Sequence, residues 1–95
     1  MYRFEIVSNR SVKDDIVEGL ERALPGILYT VIPQAEGRGK NDRKLGTTTW
    51  PELNFILFAY VADGDLGSAK GVIAEVKRRF PNEGIACFTV KTEEA

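Results

Sequence analysis

The stretch from Leu53 to Ala62 (LNFILFAYVA) constrains this chain more than any other. It is too short to cross a bilayer, which takes about 20 residues, and its β-branched and aromatic content suits a strand. In an extended strand Phe55, Leu57 and Ala59 project to one face, and Ile56, Phe58 and Tyr60 to the other. Both sets are large and apolar. A sheet covered by helices on one side and wetted on the other shows alternation instead. At about 25 cal/mol per Å², leaving either set in water forfeits several kcal/mol and exposes an aggregating patch. The expectation is an obligate oligomer, most simply a closed ring, in which a second subunit covers the open face. The competing expectation is that residues 34–52 fold back over it.

The rest of the chain supplies partners for that strand. Tyr2, Phe4 and Ile6 alternate with Arg3 and Glu5, which predicts a first strand with one covered face. Asn9 and Ser11 offer helix caps, with Asp14 as a capping-box partner to Ser11. Val12, Ile16, Leu20 and Leu24 form a helical stripe that Pro25-Gly26 ends. Ile27 to Ile32 (ILYTVI) predicts a second strand closed by Pro33. After the apolar third strand, Asp63 and Asp65 are placed to cap a helix that carries Leu66, Ala69, Ile73, Val76 and Phe80 on one face. Pro81 to Gly84 predicts a turn, and Ile85 to Lys91 (IACFTVK) a last strand.

The order β-α-β-β-α-β over residues 1–95 predicts a single α+β domain of the ferredoxin-like kind. It has a four-stranded antiparallel sheet, two helices on one face, and the first and third strands central. Several chemistries are excluded by residues the chain lacks. It contains no His, the commonest general base and metal ligand at neutral pH, and its one Cys, Cys87, can form neither an internal disulfide nor a zinc site. No metal site and no catalytic residue is therefore expected. Thirteen Lys and Arg against 14 Asp and Glu leave a net charge of -1, so binding nucleic acid through bulk charge is not expected. The opening MYRFEIVSNR lacks the basic start and apolar stretch of a signal peptide, and a cytoplasmic protein is expected.

Residues 34–52 form the second singular feature. Hairpin connections usually take about 2–5 residues, and this one is far longer. It opens with Gly37, Arg38, Gly39 and Lys40, in which glycines let backbone N–H groups approach a ligand and the cations favour an anion such as phosphate. It is no Walker A motif, since neither GxxxxGK[ST] nor a following helix is present. Trp50, held extended by Pro51, could serve as a plug at the loop base, an interface anchor or a stacking ring. Cys87 reads as a buried, inert thiol, and Arg78-Arg79 as an exposed helix end.

Taken together, VIPQAEGRGK leaving the second strand, the long loop with Trp50-Pro51-Glu52, the apolar third strand and the Phe80-Pro81-Asn82-Glu83-Gly84-Ile85 stretch resemble the PII signalling family. The family's superfamily also holds the CutA-type trimers, and the likeness is closer to a PII-like branch with a Gly-rich loop. The resemblance implies a homotrimer whose open sheet faces line a shared interior. It also implies a small effector, typically an adenine nucleotide such as ATP or ADP, bound between subunits, with Gly37 and Gly39 as backbone cradle and Arg38 and Lys40 as anion contacts. The loop, through Arg43, Lys44, Leu45 and Trp50, would then engage a transporter, enzyme or transcription factor. The chain departs from the family in three respects, one being that no Arg-rich segment follows Lys91. Residues 34–52 contain neither Tyr nor Ser, and Pro81 to Gly84 replaces a Gly- and Lys-containing turn. The expected function is non-enzymatic signalling. A small oligomeric enzyme of isomerase or acylphosphatase type is the alternative, and an amino-acid-sensing domain of the ACT kind the third.

Overall fold

Phe4, Ile6 and Ser8 alternate with Arg3, Glu5 and Val7 along β1 (Tyr2–Asn9), which sorts them onto two faces. In the computed structural model, which describes residues 1–38, 43–44 and 53–95, the first set is buried. The Asn9 side-chain oxygen accepts from the Ser11 N–H at 2.9 Å and caps a 3-10 turn at Arg10–Val12, from which α1 (Lys13–Ala23) continues. The expected Ser11–Asp14 capping box is not used. The N-cap of α1 is Val12, without a side-chain cap bond, because the cap is spent one turn earlier on the 3-10 segment. Val12, Ile16 and Leu20 are fully buried, as the stripe requires.

Strand β2 (Tyr29–Ala35) runs through Pro33, where the sequence predicted its end. The reason is topological. Strand order β2-β5-β1-β6 puts β2 at an edge, and its register against β5 (Asn54–Val61) breaks between Ile32 and Ala35, so Pro33 sits where no ladder donor is required. Residues assigned to the loop form two short strands, β3 (Gly37–Arg38) and β4 (Arg43–Lys44). The third strand expected from the sequence is thus β5, and with β1 it is central, as anticipated.

Helix α2 (Leu66–Arg79) follows a 3-10 turn at Asp63–Asp65, and β6 (Ile85–Lys91) closes the sheet against β1. Neither aspartate makes the expected cap bond. Asp63 instead receives the Met1 amine at 2.5 Å and the Lys91 Nζ at 3.4 Å, holding together the start of β1, the end of β5 and the end of β6. The Met1 amine first, then Lys91, holds the Asp63 carboxyl below the usual carboxylate range.

The core is one layer between the sheet and the helices. Phe4 and Ile6 of β1, Phe55 and Leu57 of β5, and Ile16 and Leu20 of α1 are all fully buried, with Ala69, Ile73 and Val76 of α2 closing the layer. The helices meet closely at Gly19, where an added Cβ would lie 2.7 Å from the Val72 Cγ1. No buried side-chain polar atom among the described residues lacks a partner.

Candidate functional site

Opposite the helices, register arranges the open sheet face in rows. Tyr60, Arg3 and Val90 form one, Phe58, Glu5 and Phe88 the next, and Ile56, Val7 and Ala86 the third, with Ile32 beside Ile56 at the edge. Ile32, Tyr60, Phe88 and Val90 are 43 to 59% exposed. This is the doubly apolar strand of the sequence, with each exposed side chain leaving about 1 kcal/mol of burial unrealised. Within the apolar field stands one polar cluster. The Arg3 guanidinium lies 4.6 Å from the Phe58 ring centroid and 5.8 Å from that of Tyr60. It donates to the Tyr60 hydroxyl at 2.9 Å and to the Glu5 carboxylate at 3.1 Å. These bonds, that to Glu5 foremost, raise the Arg3 pKa further above its ordinary value.

Tyr60 also borders an open cavity of about 430 Å³, walled by Leu24 to Leu28 of the α1–β2 connection and by Val61 and Asp65. Leu28 is 83% exposed beside it. None of these residues was singled out as a site in the sequence. ILYTVI reads as an uninterrupted strand, and the one available signal is the apolar pair Ile27-Leu28 directly after Pro25-Gly26.

The predicted anion-binding residues lie elsewhere. Gly37 and Arg38 form β3 and pair with β4 so that Gly37 stands opposite Lys44 and Arg38 opposite Arg43. The ladder thereby joins positions assigned on sequence to two different tasks, effector contact and partner contact. Gly37 packs tightly here, since a Cβ would sit 3.1 Å from the Asn54 side-chain nitrogen, which would have to give by a few tenths of an ångström. Arg38 is exposed. Gly39, Lys40, Leu45 and Trp50 lie outside the described residues, and so do the side chains of Arg43 and Lys44. The pairs Ala35–Asn54 and Tyr29–Ala59 mark the two ends of the β2–β5 ladder. Six residue steps along β2 and five along β5, at about 3.3 Å each, separate them, so the loop base and the cavity stand about 16–20 Å apart within one chain.

Cys87 faces the helices from β6 and is half-buried rather than fully so. Burial pushes its thiol above the ordinary value, against a smaller opposing effect of Lys77 and Lys70. Among the described residues no group of three or more His, Cys, Asp or Glu is placed to hold a metal ion. No helix among them is long and apolar enough to cross a membrane.

No family model and no curated protein matches this sequence. Solved structures do match its architecture. One is CPII, a nitrogen regulatory PII-like protein from Thiomonas intermedia K12, bound to ADP, AMP and bicarbonate. It aligns with TM-score 0.70 at 16% identity, over 94% of this chain and 84% of that one. A protein from Thermus thermophilus assigned to PII-like signalling aligns with TM-score 0.62 at 20% identity, over 94% and 83%. The de novo designed protein Foldit4 aligns with TM-score 0.59 at 13% identity, over 97% and 98%. The chain therefore has the fold of the PII-like proteins.

Proposed function

We propose that this chain is a PII-like signalling protein without catalytic activity, a homotrimer that senses an adenine nucleotide in clefts between subunits and regulates a partner through residues 34–52. One observation carries the reading. The cavity beside Leu28 and Tyr60 and the basic ladder at Arg38 occupy opposite ends of the β2–β5 pair, with the apolar open face beside them. A cyclic assembly that covers this face joins unlike patches of neighbouring protomers. It can thus bring the cavity of one chain to the loop base of the next, which no single chain can do across about 16–20 Å. Such a cleft offers apolar walls for a base and cations for phosphates, the lining expected of a small-molecule site. The ADP and AMP bound to CPII favour the same ligand class.

In this assembly the nucleotide orders the segment from Gly37 to Trp50, and Arg43, Lys44, Leu45 and Trp50 meet the target. Regulation requires that the nucleotide bind the two loop arrangements with different affinity. Titration calorimetry with ADP, AMP and ATP, beside a mass measurement in solution, tests the proposal. Saturable nucleotide binding to a trimer is expected, and Arg38→Ala is expected to weaken it by about 1–3 kcal/mol, the cost of losing a charged hydrogen bond. An unchanged Arg38→Ala isotherm removes that residue from the site, and turnover of the nucleotide overturns the non-enzymatic reading.

A further inference from the structure

The open sheet face carries a feature that apolar burial alone does not require, a charge pair set among its aromatic rows. Register puts Glu5 directly between Phe58 and Phe88, and Arg3 between Tyr60 and Val90. The two side chains are a little over a third exposed, so any partner seated on this face takes both out of water. An exposed ion pair contributes little to a lone chain. Taken into an interface, an unpaired charge there is strongly unfavourable, and so the pair discriminates between ways of docking. We propose that the Arg3–Glu5–Tyr60 cluster is a register element for self-association: a second copy of this chain covers the face, and the cluster admits one arrangement of copies.

The occupant follows from charge. The pair sums to zero and presents both signs, so neighbouring copies in a closed ring can oppose each sign with its counter-charge. A purely apolar partner or a lipid surface buries the Arg3–Glu5 pair without filling its remaining hydrogen-bond capacity, and a strongly acidic or basic partner leaves one member of the pair opposed by its own sign. A copy of the chain brings a guanidinium for each carboxylate. Two of the Arg3 contacts, to Tyr60 and Glu5, and its stacking on Phe58 fix the guanidinium plane before docking, which lowers the ordering cost at the interface. A single polar group at an otherwise apolar seam fixes register and copy number in coiled coils by the same physics.

The inference rests on the self-association proposed above, and the experiment separates the two. Native mass spectrometry and light scattering on the full chain across a dilution series are expected to give one discrete oligomer for the wild type. Arg3→Ala, which leaves Glu5 unpaired in the interface, is expected to raise the dissociation concentration about a hundredfold or more. Arg3→Met combined with Glu5→Gln keeps the volume and removes both charges. It is expected to stay associated but to spread over several copy numbers, with native circular dichroism confirming that the sheet is intact. A wild type that is monomeric at micromolar concentration overturns self-association and the register element together. A discrete wild-type oligomer whose copy number and dissociation concentration both variants reproduce overturns the register element alone.

Discussion

Gly19 offers the sharpest test of the packing described above, because the sign of the expected effect depends on one neighbour. Taken by itself, Gly19→Ala in the interior of α1 should stabilise the helix by about 0.8–1 kcal/mol, the usual difference in helix propensity. The structure argues against that gain. The new methyl would lie 2.7 Å from the Val72 Cγ1, closer than carbon atoms pack, and the obstructing atom belongs to a β-branched side chain with little rotamer freedom. Either Val72 leaves its rotamer or α1 and α2 separate, an overpacking cost of about 1–3 kcal/mol. The net expectation is destabilisation by about 0.5–2 kcal/mol. In a Val72→Ala background the remaining Cβ of residue 72 stands 3.9 Å from the new methyl, an ordinary contact. There the same substitution should stabilise by its full propensity, about 0.8–1 kcal/mol. Urea unfolding of the four proteins at one fixed protomer concentration completes the double-mutant cycle. A stabilising Gly19→Ala in the wild-type background, or equal effects in both backgrounds, would show that the helices are not in contact there.

The acid limb of the stability curve should report on Asp63. Its folded pKa is depressed by the Met1 amine and Lys91, so its contribution is present above the unfolded value of about 3.9 and is lost as pH falls through the folded pKa. Asp63→Asn should therefore lower the melting temperature slightly at pH 7, and the deficit should shrink as pH falls below about 3.9; a deficit that stays constant over that range would assign the loss to something other than charge. Cys87 should react with a thiol-specific disulfide reagent more slowly at pH 8 than a free cysteine does and reach the free rate in denaturant, because burial raises its thiol pKa. Fast native-state reaction would place that side chain in solvent.

Much of this architecture is written in local patterns. The alternation of Phe4 and Ile6, the stripe of Val12, Ile16 and Leu20, and the doubly apolar Phe55 to Tyr60 each state which face must be covered, and the structure covers the helix-side set of each. Where the expectation failed, the deciding term was long-range. Pro33 is tolerated inside β2 because that strand is an edge with a register break, and strand order is not a local property. Asp63 has the sequence look of a helix cap, yet its partners arrive from Met1 and Lys91, at the far ends of the chain.

The candidate site divides in the same way. A Gly-Arg segment leaving a strand is visible as a run of residue types, so Gly37 and Arg38 could be named, but their pairing with Lys44 and Arg43 is a matter of register. The cavity at Leu28 and Tyr60 has no contiguous signature, since its walls come from the α1–β2 connection, the end of β5 and the turn after it. By itself the sequence determined which side chains need shelter and in what order the elements come, because burial preference and periodicity are properties of neighbours along the chain. Only the tertiary structure decided that Glu5 would lie between Phe58 and Phe88 and that Arg3 would stack across strands. Antiparallel register alone converts distance in sequence into contact in space.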